Sequence, residues 1–181
     1  MTREVPVTPE QEKAYKSMQA KLKAEVDAGE VLAVNEAVKI MKLAQICVGS
    51  VLDVNGEEVT INCKPRLDEA LSLVRESQTK TIVFVPFISS LNMVAQHLQQ
   101  HKLRVGVIHG GIGKRERDTV FSGFQKGNEY DVIVAQPAAM AHGLTLTAAS
   151  TVIWYGPVNR ADIYEQANGR VTRPGQKYNT L

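Results

Sequence analysis

Two arginines, Arg170 and Arg173, stand close to the end of the 181-residue sequence, and no acidic residue lies three or four positions from either. A guanidinium group does not lose its charge in a protein, so two neighbouring groups repel each other unless they share an anion. The forked donors of arginine fit phosphate oxygens, and a polyphosphate suits a pair of them. The spacing therefore marks a candidate phosphate site. The alternative interpretation is a basic helix end that complements the helix dipole, and the spacing alone does not choose between the two.

A helix is expected to present this pair of arginines. Asn159 fits the N-cap of such a helix, and Pro174 cannot continue it. If a helix that begins after Asn159 runs to about Thr172, it places both arginines on one face near its C-terminal end.

The composition is that of a globular domain with a full core, because 44% of the residues are hydrophobic and 22% are charged. No apolar run approaches the roughly 20 residues of a membrane span, and the N-terminus has no apolar run of the signal-peptide type. Cys47 and Cys63 form no CxxC pair, so we interpret them as reduced thiols. These features together predict a cytoplasmic protein that does not enter a membrane.

Charge is distributed unevenly along the chain. Residues 1–90 contain 11 Lys and Arg against 13 Asp and Glu, whereas residues 91–181 contain 10 against 6. Any surface for nucleic acid or phosphate is therefore expected in the second half.

Residues 1–78 are predicted to form a preface of helices and one β-hairpin. Apolar residues recur there at helical spacing, and Asn55 and Gly56 supply the positive-φ residues of a tight hairpin turn. In chain order we expect a helix capped by Thr8 that continues past Val26 to Gly29, a helix from Asn35 to Gly49, a hairpin over 51–61 and a helix from Leu67 to Glu76.

Residues 79–181 are predicted to form a doubly wound α/β lobe. Short continuous apolar runs, typical of strands buried on both faces, alternate there with helical patterns, which predicts parallel strands with crossover helices. The expected strands are 81–85, 105–108, 132–134 and 151–154, and the expected helices between them are 90–101 and 114–125. The sequence leaves open whether the preface packs on this sheet or forms a subdomain.

Ligands of open α/β sheets bind beyond the carboxyl ends of the strands, which directs attention to the loops that follow them. One such loop, His109 to Arg115, is not a P-loop, because Ile108 stands where the motif needs its first Gly and Arg115 where it needs Ser or Thr. His97 and His101 lie four apart on a helix without the Glu of a zinc-protease motif or a third ligand, so we predict no metal site. Trp154 and Tyr155 are interpreted as core and rim packing rather than a base-stacking platform.

Taken together, residues 80–177 resemble the C-terminal RecA-like lobe of superfamily-two helicases and translocases. The similarity is to the Swi/Snf-type branch, particularly its compact phage and bacterial members. The segments that carry it are Ile82–Phe87 (motif IV), His109-Gly110 with Arg117 and Phe124, Val132–Gln136 with His142–Leu146 (motif V), and Gln166–Gln176, which fits the motif VI pattern QxxGRxxRxGQ at every specified position. Asn35, Lys42-Leu43 and Gln45-Ile46 of the preface also look like the segment before this lobe in the phage-type members.

The resemblance implies roles for individual residues. Arg170 and Arg173 would be arginine fingers that reach the ATP γ-phosphate across a cleft between two lobes. The residues that the resemblance places near the nucleotide are Gln166, Gly143, Thr145 and Gly169. The residues that it places along the nucleic-acid phosphate backbone are Ser89, His109, Gly110 and Gln136. Thr145 stands where the family usually has Asn, and Ala135-Gln136 replaces its usual Ser-Thr.

Two motifs that such enzymes need for ATP hydrolysis are absent from this sequence. The first lobe of such enzymes carries the Walker A motif and the DExx box, which hold ATP and Mg²⁺, and this sequence contains neither. We therefore expect the chain to be part of a larger ATP-hydrolysing DNA helicase or translocase in a bacterial or phage-infected cell, partnered by an N-terminal RecA-like lobe and inactive alone. The alternative is a non-enzymatic nucleic-acid-binding or regulatory module that has kept the RecA-like fold.

Overall fold

A computed structural model describes residues 1–21, 23–26, 29–32, 35–140, 146–158, 160–169 and 171, with the backbone alone described for residues within 21–34. Residue contacts divide the chain into two compact units, Thr2–Glu69 and Ala70–Leu181, with Met1 grouped with the second unit. The boundary falls inside a helix, whereas the sequence pattern puts it at residue 78.

The first unit contains helices and two small hairpins. Its elements are α1 (Pro9–Lys21), β1 (Lys23–Val26), β2 (Gly29–Leu32), α2 (Glu36–Val48), β3 (Ser50–Leu52), β4 (Glu58–Thr60) and the first half of α3 (Lys64–Glu76). A core of Ala14, Met18, Ile46, Val51, Val59 and Ile61 holds α1, α2 and the second hairpin together.

Both N-caps predicted in this unit, Thr8 and Asn35, are confirmed, whereas α3 begins at Lys64, three residues before the predicted Leu67. Thr8 Oγ1 accepts from the backbone N–H of Gln11 at 3.2 Å, and Gln11 Oε1 accepts from the N–H of Thr8 at 3.3 Å, which is a capping box. Asn35 Oδ1 accepts from the N–H of Val38 at 2.9 Å, and Gly49 ends α2 with φ 88°. These local signals are legible in sequence because each cap satisfies backbone groups within one helical turn.

The prediction that the first helix continues past Val26 is wrong. The helix ends at Lys21, and β1 pairs antiparallel with β2, with Val26 opposite Gly29. The helical spacing of apolar residues extended across this region, but a short segment also fits a strand, and pairing with a neighbour decides between the two.

The second hairpin lies where it was predicted, but its turn differs. Of the two expected positive-φ residues, only Gly56 has one, at 82°. The turn is instead organised by Asp53, whose Oδ1 accepts from the backbone N–H groups of Asn55 at 2.8 Å and Glu57 at 2.9 Å. The side chain of Asp53 thus forms hydrogen bonds with the backbone of the loop that follows it, as Asp often does in turns. The loop between β3 and β4 is therefore longer than a two-residue turn.

The second unit is a four-stranded parallel sheet with flanking helices. Its elements after α3 are β5 (Lys80–Phe84), α4 (Ile88–Gln100), β6 (Val105–Ile108), α5 (Lys114–Gln125), β7 (Val132–Ala135), a 3₁₀ helix (Pro137–Met140), β8 (Ala149–Trp154) and α6 (Ala161–Asn168). The strand order is β6-β7-β5-β8, and all three pairings are parallel. The predicted α/β class and the predicted strands are confirmed.

Each face of the sheet is covered by helices. One core cluster joins β5, β6 and β7 to α5 and α6 through Phe84, Ile108, Ile133, Phe124 and Ala167, all of which are buried. Helix α4 packs against β6 and β7 and buries Leu91, Val94, Ala95 and Leu98. Burial on both faces explains why the strands appear in the sequence as continuous apolar runs.

The prediction of a last helix that runs to about Thr172 is wrong, because α6 ends at Asn168. Gly169 follows it, and glycine is a poor helix former. Among the described residues no helix has the length and apolar character needed to cross a membrane.

Candidate functional site

The carboxyl ends of the four strands lie side by side at one edge of the sheet. Phe84 is in register with Ala135 on one side and with Trp154 on the other, and Ile108 is in register with Ala135. The loops that follow the strands therefore begin at the same level of the sheet. Such an edge is where ligands bind in open α/β folds.

The side chain of Gln136 connects three of these loops. Its Oε1 accepts a hydrogen bond from the backbone N–H of Gly110 at 3.4 Å, and its Nε2 donates to the carbonyl oxygen of Pro86 at 3.4 Å. Its own backbone N–H donates to the carbonyl of Ile108 at 2.8 Å. The structure thus brings together two of the residues that were expected along nucleic acid, Gly110 and Gln136.

His109 lies beside this junction and is half-buried. Its Nδ1 accepts from the backbone N–H of Gly111 at 3.1 Å, which leaves Nε2 as the ring atom that can carry a proton for a ligand. A Cβ atom at Gly111 would lie 3.0 Å from the ring, which is why a residue without a side chain suits this position.

Ser89 stands in the first turn of α4, half-buried, and no hydrogen bond joins it to His109, Gly110 or Gln136 within the part of the chain that the structure describes. Phe87, the N-cap of that helix, provides no side-chain cap. The first N–H groups of a helix without a cap are open to an anion. Ser89 therefore lies at the same edge of the sheet as the Gln136 junction but is not part of it.

Two of the residues expected near the nucleotide lie on or directly after α6. Gln166 is exposed on that helix, and Gly169 is half-buried directly after it, with its N–H donating to the carbonyl of Glu165 at 2.9 Å. The remaining predicted site residues, Gly143, Thr145, Arg170 and Arg173, lie outside the described residues, as does His142.

Sequence reasoning gave Trp154 a packing role but missed its partner. The indole N–H of Trp154 donates to Asn168 Oδ1 at 3.1 Å, and its ring makes tilted contacts with those of Phe84 and Tyr164, at centroid distances of 4.7 and 4.6 Å. Tyr155 is 2% exposed, so the packing interpretation holds for both aromatic residues. A half-buried tryptophan needs an acceptor for its N–H, which is the signal that could have prompted a search for Asn168.

A groove and the search for metal ligands complete the description of the site. An open groove of about 560 Å³ runs along α5 between Lys114, Arg115, Asp118, Thr119 and Ser122 and shares no residue with the Gln136 junction. Across the described residues, no group of three or more His, Cys, Asp or Glu is arranged to hold a metal ion.

The fold and this edge define the chain as a RecA-like α/β lobe. Residues 64–175 match the family model described as helicase conserved C-terminal domain, and the chain belongs to this family.

Several curated relatives are similar to the chain. The RNA helicase RhlB of Xanthomonas axonopodis is 32% identical over 58% of this chain and 18% of its own length. The Bacillus subtilis helicase/translocase candidate YwqA is 29% identical over 75% of this chain and 15% of its own length. The cattle DNA excision repair protein ERCC-6-like is 33% identical over 64% of this chain and 9% of its own length. The chain thus spans less than a fifth of each of these relatives.

Solved structures share the fold. The C-terminal domain of the Sulfolobus solfataricus SWI2/SNF2 ATPase aligns with a TM-score of 0.62 at 23% identity, covering 83% of this chain and 68% of that one. The C-terminal domain of the DEAD-box protein Dbp5 aligns with a TM-score of 0.54 at 22% identity, covering 64% of this chain and 67% of that one. The predicted resemblance to the C-terminal lobe of superfamily-two helicases is confirmed. The choice between DNA and RNA is not decided by these relatives, because their names include both.

Proposed function

We propose that this chain is the C-terminal lobe of an ATP-dependent DNA helicase or translocase, and that it needs an N-terminal RecA-like lobe to hydrolyse ATP. The observation that carries the proposal is the junction at Gln136. It gathers the loops after three parallel strands at the edge where members of such a fold meet their ligands.

Arg170 and Arg173 supply the charge that hydrolysis requires from this lobe. As negative charge develops on the transferred phosphoryl group, their guanidinium groups stabilise it across the cleft. Gln166, Gly169, Gly143 and Thr145 lie near the nucleotide in this proposal, and the Mg²⁺ ion that accompanies ATP is held by the first lobe.

Ser89, His109, Gly110 and Gln136 follow the nucleic-acid backbone in this proposal. The donors available for a phosphate are the Nε2–H of His109 and the first-turn N–H groups beside Ser89, while the amide of Gln136 holds the loop of Gly110 in place. Donors of this kind contact phosphate rather than base edges, so binding is largely independent of sequence and weakens with salt. Closing and opening of the cleft during the ATP cycle then moves these contacts along the strand.

DNA is proposed over RNA because of how far the similarities extend. The match to YwqA spans 142 residues, which is more than the segment 64–181 contains, so it reaches into the first unit. The Swi/Snf-type ATPase domain covers 83% of the chain and reaches into it as well, whereas the RNA helicase RhlB aligns over 105 residues. The first unit is thus matched more fully by the helicase/translocase and SWI2/SNF2 relatives than by this RNA helicase, which supports the proposal of a Swi/Snf-type enzyme and, with it, of DNA.

The test uses the full reading frame that contains this chain. ATP hydrolysis is measured with double-stranded DNA, single-stranded DNA and RNA of one sequence. Stimulation by DNA well above stimulation by RNA is the expected result, and the reverse order overturns the choice of DNA. Nucleic-acid binding without any hydrolysis favours the non-enzymatic module instead.

A further inference from the structure

The aromatic ring of Tyr164 lies at the surface of α6, in contact with the end of a strand. The side chain is 47% exposed, and its ring makes a tilted contact with that of Trp154 at a centroid distance of 4.6 Å. Trp154 is the last residue of β8 and is in register with Phe84 of the neighbouring β5. Tyr164 therefore lies at the carboxyl edge of the sheet, where ligands bind in open α/β folds.

Trp154 holds this exposed ring in place. The indole ring also contacts that of Phe84, at a centroid distance of 4.7 Å, and Phe84 is fully buried. The indole N–H donates to the Oδ1 of Asn168, one helical turn after Tyr164, at 3.1 Å. An aromatic side chain that is already ordered loses little conformational entropy when a ligand stacks on it. The stack thus presents the outer surface of Tyr164 as a ready contact for a ligand.

Exposed apolar side chains of the second unit are concentrated at this edge. Among the described residues from Ala70 onwards, the large hydrophobic side chains that are exposed are those of Ile88, at 41%, and Tyr164. Ile88 begins α4, four residues after Phe84, so the two exposed side chains follow the neighbouring strands β5 and β8. Single apolar residues scattered over a surface need no explanation, but two at the ligand edge indicate a ligand with an apolar part.

The surroundings of Tyr164 fit a planar base better than the surface of another protein. Glu165 and Gln166, the next residues of α6, are exposed and polar. Arg160, one turn earlier, forms an ion pair with Asp162, and both side chains are more than half exposed. A stable protein interface needs an extended apolar patch at its centre, whereas a nucleobase needs only one aromatic ring on which to stack.

We propose that the exposed surface of Tyr164 stacks on a base of single-stranded nucleic acid, while phosphates of the same strand contact the donors beside Ser89 and His109. The inference rests on the proposed binding of nucleic acid at this edge and adds the form of the substrate. Bases in a duplex are stacked on each other, so only an unpaired strand offers a base to this ring. Every base has a π-face, so the contact tolerates any sequence.

The test uses the protein that contains both lobes and two labelled strands of equal length. One is oligothymidylate, and the other is an abasic strand that keeps the phosphates but has no bases. Tyr164→Ala should weaken binding of oligothymidylate about 5-fold or more, and should leave binding of the abasic strand and of a duplex unchanged. Tyr164→Phe keeps the ring and should bind all three as the wild type does. Fluorescence anisotropy at one fixed salt concentration measures each affinity.

The difference between the two strands separates stacking from a structural role of the ring. Equal losses for oligothymidylate and for the abasic strand would show that Tyr164 supports the fold rather than a base, and the inference is overturned. It is also overturned if Tyr164→Ala binds oligothymidylate as tightly as the wild type. Circular dichroism gives the folded fraction by which each affinity is corrected.

Two further outcomes concern the partner of this edge. Slower ATP hydrolysis in Tyr164→Ala without nucleic acid, together with unchanged binding of oligothymidylate, identifies a contact with the N-terminal lobe and overturns stacking. Failure of the wild-type protein to bind any of the three nucleic acids removes the proposed function itself. That result needs no variant of Tyr164, so the two failures are distinguishable.

Discussion

The backbone N–H of Gly110 donates a hydrogen bond to the side-chain Oε1 of Gln136 at 3.4 Å, although the two residues are 26 positions apart. The same side-chain amide donates to the carbonyl of Pro86 at 3.4 Å. One side chain thereby holds the loops after β5, β6 and β7 at a common edge.

Replacement of Gln136 by alanine should weaken nucleic-acid binding. Two hydrogen bonds that hold the loops in place are lost, each with a net contribution of about 1 kcal/mol. If nucleic acid must then order the loops as it binds, the affinity should fall by up to about 30-fold. Fluorescence anisotropy with a labelled duplex at one fixed salt concentration measures the effect. Gln100→Ala, the same change on the exposed end of α4, is the matched control. Equal affinities for the Gln136 variant and the wild type would remove Gln136 from the nucleic-acid site.

Replacement of either Arg170 or Arg173 by alanine should slow hydrolysis in the two-lobed protein far more than it weakens ATP binding. Arginine fingers of comparable nucleotide hydrolases contribute on the order of 10³–10⁵ in rate, because they act on charge that develops only in the transition state. Turnover under saturating ATP and nucleotide binding by titration measure the two effects separately.

The control for this prediction is Arg75→Ala, which removes an exposed arginine from the last turn of α3 and should leave hydrolysis unchanged. Near-normal turnover in both finger variants would show that the arginine pair binds phosphate without taking part in hydrolysis.

The chain alone should show no nucleic-acid-stimulated ATP hydrolysis. Its sequence has no Walker A motif and no DExx box, and these groups hold the phosphates and Mg²⁺ in such enzymes. A coupled phosphate-release assay on the purified chain, with and without DNA, measures this directly. Adding the first lobe from the same reading frame is the positive control. Sustained turnover by the chain alone, equal across independent purifications, would contradict the prediction.

The pairing of Asp131 with Arg104 should make the stability of the lobe depend on pH. Arg104 donates from Nε and from its backbone N–H to Asp131 Oδ2, each at 3.0 Å, and these bonds to Arg104 lower the pKa of the Asp131 carboxyl. A carboxyl with a depressed pKa in the folded state stabilises above its unfolded pKa, and that stability is lost as the pH falls through the folded value.

Asp131→Asn should therefore lower the free energy of unfolding near neutral pH by about 0.5–1 kcal/mol, a modest figure because the pair is partly exposed. The difference from the wild type should shrink as the pH falls below about 3.9, where the unfolded carboxyl is protonated. Urea unfolding at neutral and acid pH measures it, with Asp118→Asn on the exposed face of α5 as the control. A difference that stays constant with pH would mean that the ion pair contributes nothing.

Local signals were sufficient to predict many elements from the sequence. The bounds of β6 and α5 agree with the apolar run at 105–108 and with the helix start after Gly113. Asn35 and Gly49 bracket α2 as predicted. Such features depend on groups within one or two turns of each other, so they can be read without knowing the fold.

The errors arose where distant contacts decide the local structure. The residues after Lys21 pair as a hairpin instead of extending α1, and α6 ends at Asn168 rather than near Thr172. Helical spacing of apolar residues was present after Lys21, but strand pairing overrode it. The end of α6 was placed by Pro174, whereas the helix stops before Gly169. The bond from Trp154 to Asn168 spans 14 positions, and no local pattern relates the two residues.

The sequence by itself determined the α/β class, the order of strands and helices, and, through the spacing of Gln166, Gly169, Arg170 and Arg173, the family. These depend on burial patterns and on motif residues that stand close together in the chain. Only the tertiary structure decided that Gln136 bridges the loops of Gly110 and Pro86. That contact follows from the strand order β6-β7-β5-β8, which is set by how the crossover helices pack on the two faces of the sheet rather than by any neighbouring residues.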